Sequence, residues 1–406
     1  MTRGSTAYEQ FVAAGPAQDQ RPPDFPRRSG VLRRVVLTTL VMLLVVGAIA
    51  TLSIEGSRRN ESTDHAVTLP LQATARADAR AFLERYEASS GRVVRKDQGG
   101  DTVSEGQSYA LLLAVAIGER EQFAAAWRWE RTNLQLPDGL FAYHWSGGKV
   151  VNAEPATDAD LDTAWALVLA GQRFHNSQYL AQGLRVASAV VSDETTVVAG
   201  ALQLVAGPWG RSNPAVADPS YFSVEAMDAL GTASGDPRWS QLAADSTALV
   251  ASLTGSGRTL PANWVDLEPT GSARATGDPG TTTSPAYGLD AQRVPVWFAA
   301  GCTHGERAVA GDAWSVLRRS ANQGARISYN LSGAAQTTEV NPLGSVAAAA
   351  SASAAGDQRA ATTLLAAADR QSERFHTYYG DAWVALGRIL LDTPWLSHCG
   401  PGLGAA

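Results

Sequence analysis

An all-α fold is what this chain predicts, with about twelve helices behind a single N-terminal transmembrane or signal-anchor helix. Three observations carry that prediction. From about residue 74 to residue 391, apolar residues recur at helical spacing, broken mostly by short turns. Runs of β-branched residues are few, while Ala and Gly are abundant. Near the start, Val35 to Ile54 reads VVLTTLVMLLVVGAIATLSI without a charge, a length that spans a hydrocarbon core.

The N-terminal elements come first. Residues 1–34 are polar, Pro-containing and Arg-rich, and read as a disordered cytoplasmic tail. Arg27, Arg28, Arg33 and Arg34 precede the apolar run, which keeps the N-terminus inside and sends the bulk of the chain outward. Ala48-Ile49-Ala50 also resembles a signal-peptidase site, so cleavage after Ala50 is the competing reading. The apolar run continues past that point, which favours an uncleaved anchor at the membrane's outer face. Both readings export the rest. Residues 55–73 are mostly polar and read as a linker, and 74–406 as one large domain.

Within that domain, helices are expected near 74–88, 104–117, 120–134, 159–174, 177–191, 220–233, 237–254, 288–300, 306–322, 340–355, 357–371 and 379–391. Turns such as Gly235-Asp236-Pro237 and Gly356-Asp357 join neighbours closely, with Asp and Pro suited to the helix starts. Hairpins of this number can close into a ring of inner and outer helices, with the loops at one end lining a cleft. Gly255 to Pro285, rich in Gly, Thr, Ser and Pro, is the longest stretch expected to be irregular.

Charge narrows the partners. Residues 1–59 hold eight Arg and four acids, so they carry about +4 and the remainder about −10 of the net −6. An acidic body excludes nucleic acid, which needs a basic face, and suits a neutral or cationic substrate. The six His show no paired metal-ligand spacing, so no metal is expected. No G-x-S-x-G elbow, P-loop or dinucleotide fingerprint is present, so no cofactor is expected either. Cys302 and Cys399 either pair in the exported domain or stay as buried thiols; pairing would contribute up to about 4.7 kcal/mol in the chain-entropy picture.

Carboxylates, aromatics and Arg near helix starts remain. In DTVSEGQSYALLLAVAIG, Glu105 sits at the mouth of an apolar helix, with Ser104 and Gln107 spaced as a capping box. A carboxyl against an apolar wall keeps its proton to higher pH, as a general acid requires. In PATDADLDTAWALVLAGQRF, Asp158, Asp160 and Asp162 crowd one helix start beyond the needs of a cap. In AYGLDAQRVPVWFAAG, Asp290 lies one turn before Arg293 in an otherwise apolar segment. In GPWGRSNPAVADPSYF, Trp209 and Tyr221 flank a Pro-containing loop, and aromatic faces beside acids suit the stacking of sugar rings. Dipole complementation and core packing explain each feature singly.

Together these stretches resemble glycoside hydrolase family 8, the inverting endo-glucanases with an (α/α)6 barrel, over roughly residues 74–395. SEGQSYALLLAV is similar to the family's S-E-G-Q-x-Y-G-M-L-x-A-V block, and ATDADLDTAWA to its A-[ST]-D-[AG]-D-x-x-[IM]-A-x-[SA] signature. DPSYFS and LDAQRVPVW match two further blocks, in the same order. The resemblance implies Glu105 as general acid, Asp290 as general base and Asp158 as the acid that binds and distorts the central sugar. It implies that Arg293 keeps Asp290 ionised. It places Tyr109, Trp127 or Trp129, Trp209, Tyr221, Tyr287 and Tyr378 or Tyr379 at the sugar subsites. Ala110 and Thr163 depart from the blocks, and Leu289 stands where the family often has an aromatic before the base.

The expectation is therefore a monomeric endo-β-1,4-glucanase acting on a β-glucan chain, tied to the membrane by its N-terminal helix. A chitosanase or xylanase of the same fold is the alternative. From another class, a polysaccharide-binding module with decayed catalysis would share the same residues.

Overall fold

The computed structural model describes residues 70–321 and 324–399, within the compact unit Ala66–Ala406. The tail and the apolar run at 35–54 lie outside the described residues. Among the described residues, no helix is long and apolar enough to cross a membrane.

Helix α1 covers residues 70–86, so it begins inside the segment expected to be linker. The helices that follow are α2 (Ser104–Ile117), α3 (Arg120–Asn133), α4 (Thr157–Arg173), α5 (Ser177–Asp193), α6 (Val224–Ser234) and α7 (Arg238–Thr254). After them come α8 (Val294–Ala299), α9 (His304–Asp312), α10 (Trp314–Ala321), α11 (Pro342–Ala354), α12 (Gln358–Arg374) and α13 (Tyr378–Asp392).

Burial separates these into two shells. In α2 every residue but Glu105 is buried, and α4 and α11 are buried nearly all round. Helices so apolar must be surrounded. In α5 and α12, by contrast, one stripe is buried and the rest faces solvent. The buried helices α2, α4, α6, α8, α11 and α13 each pack on the next, and α13 packs back on α2, closing a ring. Outside it α3 lies on α2, α5 on α4, α7 on α6, α9 on α8 and α12 on α11. Phe82 and Tyr86 of α1 pack on Tyr378 of α13 and complete the outer shell. This is an (α/α)6 barrel.

The all-α expectation needs correction in its loops. Among the described residues, eight short strands form three antiparallel sheets: β1 (Thr102–Val103), β2 (Ala142–Ser146) and β3 (Lys149–Pro155); β4 (Thr195–Val198) and β5 (Ala201–Leu204); and β6 (Ala215–Ala217), β7 (Trp264–Leu267) and β8 (Ala273–Thr276). β7 and β8 fall within Gly255–Pro285, so that stretch is partly ordered by pairing and not merely irregular. Two expected helices also differ. The segment 306–322 breaks at Ala313 into α9 and α10, and 288–300 starts as a 3-10 turn, Ala291–Arg293, before the short α8.

The capping box at Ser104 is overturned as well. Val103 is the N-cap and no side chain caps α2. Thr102 and Val103 pair with Trp145 and His144, which holds the chain extended to the helix's first residue. Gln107 instead reaches sideways, accepting from the Val93 amide and donating to the Gly91 and Ala126 carbonyls.

Cys302 and Cys399 form a disulfide that ties the turn after α8 to the segment following α13. The pairing closes a long loop, the arrangement in which a cross-link restricts the unfolded chain most.

Candidate active site

The inner helices all start at one end of the barrel, and the candidate residues collect there. β1 leads directly into α2 and β3 into α4, which delivers Glu105 and Asp158 from adjacent helix starts. Asp290 caps the 3-10 turn before α8, and its loop is pinned by Asn263, whose Oδ1 accepts from the Gly288 and Ala291 amides at 2.8 and 3.1 Å. A Cβ at Gly288 would strike the Asn263 amide nitrogen at 2.7 Å, so only glycine lets this loop close on its partner. Gly106 has the same role on the other side: a Cβ there would lie 2.3 Å from Tyr378 Oη, so its absence lets α13 approach α2 beside Glu105.

Arg293 is the hub. Its Nη1 donates to Asp158 Oδ2 at 2.6 Å, to Glu105 Oε1 at 3.2 Å and to Tyr109 Oη at 3.2 Å. Its Nη2 donates to Ser220 Oγ at 2.6 Å and lies 3.9 Å from Asp290 Oδ1. Glu105 and Asp290 therefore both lie against one planar guanidinium, so their nearest oxygens are at most about 9.5 Å apart, a ceiling that matches the upper end of the span an inverting pair uses. Only 2% of the Arg293 side chain is exposed, against 6% for Asp158, 19% for Glu105 and 38% for Asp290. Asp290 is the carboxylate most open to water.

Burial raises both acids. Burial first, then the charge of Asp158, pushes Glu105 up to about 8 although Arg293 opposes both. Glu105 thus holds its proton at neutral pH. Asp290 is raised as well: burial pushes it upward first, and Asp158 adds to that, against the downward pull of Arg293. The expectation that Arg293 keeps Asp290 ionised holds in the direction of its pull but not in the balance: burial outweighs it, because the short bonds of Arg293 go to Asp158 and Glu105 and Asp290 lies beyond hydrogen-bond range.

The other acids of the α4 start do different things. Asp160 points away and accepts from the Phe141 amide at 2.8 Å, fixing β2 to α4. Asp162 is buried one turn below Asp158, and burial followed by Asp158 raises its pKa. Asp160, Glu130, Glu194 and Asp218 are also buried and raised, each by burial first. A carboxyl raised in the folded state holds a proton that the unfolded chain has already released, so the fold loses stability as pH climbs from the ordinary carboxylate range. Thermal unfolding should therefore show a lower Tm at pH 8.5 than at pH 6; a Tm that rises over this interval would contradict these protonation states.

Of the expected sugar-contacting aromatics, some reach the site. Tyr109 donates toward Glu105 Oε1 at 3.4 Å, and the Tyr221 ring lies 5.2 Å from the Arg293 guanidinium carbon. Tyr379 feels Arg293, Asp290 and Glu105, and its hydroxyl is buried without a partner. Tyr378 packs under α1, its hydroxyl against Gly106. Trp209 is 37% exposed and lies near Trp264, which in turn meets the edge of Tyr221.

Three expected positions do not. Trp127 is buried against Phe141, with its Nε1 donating to Gln182, because α3 belongs to the outer shell and turns that residue toward α5. Trp129 is covered by Trp145 of β2. Tyr287 is 1% exposed and packs against Tyr329 in a second apolar cluster beneath the base loop. None of these three rings offers a free face.

Four neighbours escaped sequence reasoning. Ser220 relays between Arg293 and the buried Asp218, to whose Oδ1 it donates at 2.6 Å; both lie in the DPSYFS stretch. Tyr143, on β2, is influenced by Glu105, Asp158 and Asp290. Trp264 is the lone aromatic of the Gly- and Thr-rich stretch, a signal that was available.

The model of the family described as glycosyl hydrolases family 8 matches residues 65–389. The chain belongs to that family. It is 32% identical over 225 residues to the "Probable endoglucanase" of Novacetimonas hansenii, a match covering 53% of this chain and 64% of that relative's length. With the endoglucanase of Cellulomonas uda it shares 27% identity over 258 residues, 61% of this chain and 71% of the other. The solved structure of an endo-β-1,4-glucanase from Acetobacter xylinum superposes with a TM-score of 0.66 at 26% identity, covering 78% of this chain and 97% of that one.

Proposed function

We propose that this family 8 domain is an endo-β-1,4-glucanase that hydrolyses its chain by single displacement with inversion. The observation that carries the reading is the single guanidinium of Arg293, which touches Glu105 and Asp158 and lies 3.9 Å from Asp290, the most exposed of the three carboxylates. Endoglucanase relatives, and the fold shared with an endo-β-1,4-glucanase at 26% identity, support the β-1,4-glucan as substrate.

In this reading Glu105 is the general acid: it gives its proton to the glycosidic oxygen as the C1–O bond breaks. Water attacks C1 from the opposite face and loses a proton to Asp290, the general base, leaving one new reducing end of inverted configuration. Asp158, held by the Arg293 guanidinium, binds the central sugar and faces the positive charge that develops on its ring. Trp209, Trp264 and Tyr221 form an aromatic row on which successive sugars stack. Proton exchange with water resets the two catalytic carboxyls.

The N-terminal span at 35–54 anchors the domain at the outer face of the plasma membrane, where it acts as a monomer on glucan at the cell's own surface. Recovery of the intact chain from washed membranes, open to protease added from outside, supports the anchor; a chain recovered only from the medium, beginning at Thr51, rejects it.

Proton NMR during cellohexaose hydrolysis tests the chemistry. New reducing ends should appear first as the α-anomer; β-anomer first would exclude inversion. Faster turnover of chitosan or xylan hexamers would move the substrate, and glucan binding without turnover would leave a binding module.

A further inference from the structure

Beside the cleft, a groove of about 540 Å³ runs between the start of α11 and the end of α12, lined by Val340, Asn341, Arg370, Arg374 and Phe375 among others. Thr377, which also lines it, is the N-cap of α13, two residues before Tyr379 of the active site. The groove therefore opens on the same end of the barrel as the catalytic acids.

Its chemistry is one-sided. No acid lines it, although the domain as a whole is acidic. Among the described residues the Arg370 side chain makes no ion pair or hydrogen bond, and that of Arg374 only lies over the Phe375 ring, 5.0 Å from its centre. Asn341 Oδ1 already accepts from the Leu343 amide, and Thr377 Oγ1 from the Gly380 amide, while the Asn341 amide hydrogens and the Thr377 hydroxyl hydrogen remain to donate. Free donors and two unpaired guanidinia select an anion, and a guanidinium can grip a carboxylate with two parallel bonds. Phe375 is 62% exposed and Val340 45%, which leaves an apolar strip beside the charges. A carboxylate alone would not need that strip; a sugar ring carrying a carboxylate would use both.

We propose that this groove binds a carboxylate-bearing stretch of a polysaccharide strand, holding an acidic glucan beside the cleft that cuts it. The inference rests on the glucanase reading for its choice of glycan, and on the donor inventory for its choice of anion.

The test uses the full-length chain in neutral detergent, with affinity electrophoresis through carboxymethyl-cellulose or uncharged hydroxyethyl-cellulose. Wild type should be retarded more strongly by the charged polymer. The double variant Arg370→Ser/Arg374→Ser should lose that excess, with an apparent Kd about tenfold higher, while its cellohexaose hydrolysis stays unchanged. Phe375→Ala should weaken retardation by both polymers. Equal retardation of the double variant and wild type overturns the proposal and leaves the arginines serving only the end of α12. Competition by inorganic phosphate or by phosphatidylserine vesicles, as effective as carboxymethyl-cellulose itself, overturns the glycan assignment. Wild type that shows charge-selective retardation but no cellohexaose hydrolysis sinks the glucanase reading and leaves the groove standing.

Discussion

Glu105→Gln is expected to lower kcat on cellohexaose by about 10²–10⁴-fold, the range that a positioned general acid supplies. The amide keeps the shape and can still accept from Arg293, but it has no proton to give the leaving oxygen. Two further readouts separate this from a general disturbance. In the wild type, Glu105 held up to about 8 sets an alkaline limb: activity falls as pH rises past that value and the acid ionises. The variant should lose that limb. It should also act nearly normally on a cellobioside with an acidic phenol as leaving group, because such an oxygen departs without protonation. A persisting alkaline limb near 8 would assign the titration to another group.

How far the sequence could be read follows from what kind of signal each feature needs. The inner ring was legible because a helix surrounded by other helices must be apolar all round, as α2 and α11 are. The carboxylates were legible because Glu105, Asp158 and Asp290 sit at helix starts within recognisable blocks. Which aromatic faces open space was not. Trp127 and Trp209 look alike in a string of letters, yet one is fixed inside by an outer helix and the other stands on a loop. The short strands were missed for a related reason: β1 and β2 pair through only two positions, too few to impose an alternating pattern. Arg293 was paired with its sequence neighbour Asp290, whereas its strongest bond is to Asp158, 135 residues away. Local spacing names candidate partners, and the closure of the ring decides among them.

That hub is where the largest combined loss of activity and stability is expected. Arg293→Met keeps most of the buried volume but removes the one cation that Glu105, Asp158 and Asp290 share. Removing one partner of a buried ion pair costs about 3–5 kcal/mol, since the remaining charge stays without compensation. Ser220 also loses its donor, and the Tyr221 ring loses the guanidinium stacked on it. The surviving carboxyls can relieve the repulsion only by taking up protons, which is easier at low pH. The Tm deficit of the variant against wild type should therefore be larger at pH 8 than at pH 5.5. Activity should fall even where the protein is folded, because a protonated Asp290 cannot take the proton of water, and the acidic limb of any residual activity should move upward. Arg293→Lys should restore part of the stability but little of the rate: one ammonium can meet Asp158, and it lacks the planar span that reaches Glu105 and Asp290 together. Calorimetry at the two pH values, with kcat measured on the folded fraction, checks both halves. A deficit that does not vary with pH would mean that Arg293 acts through packing and not through charge.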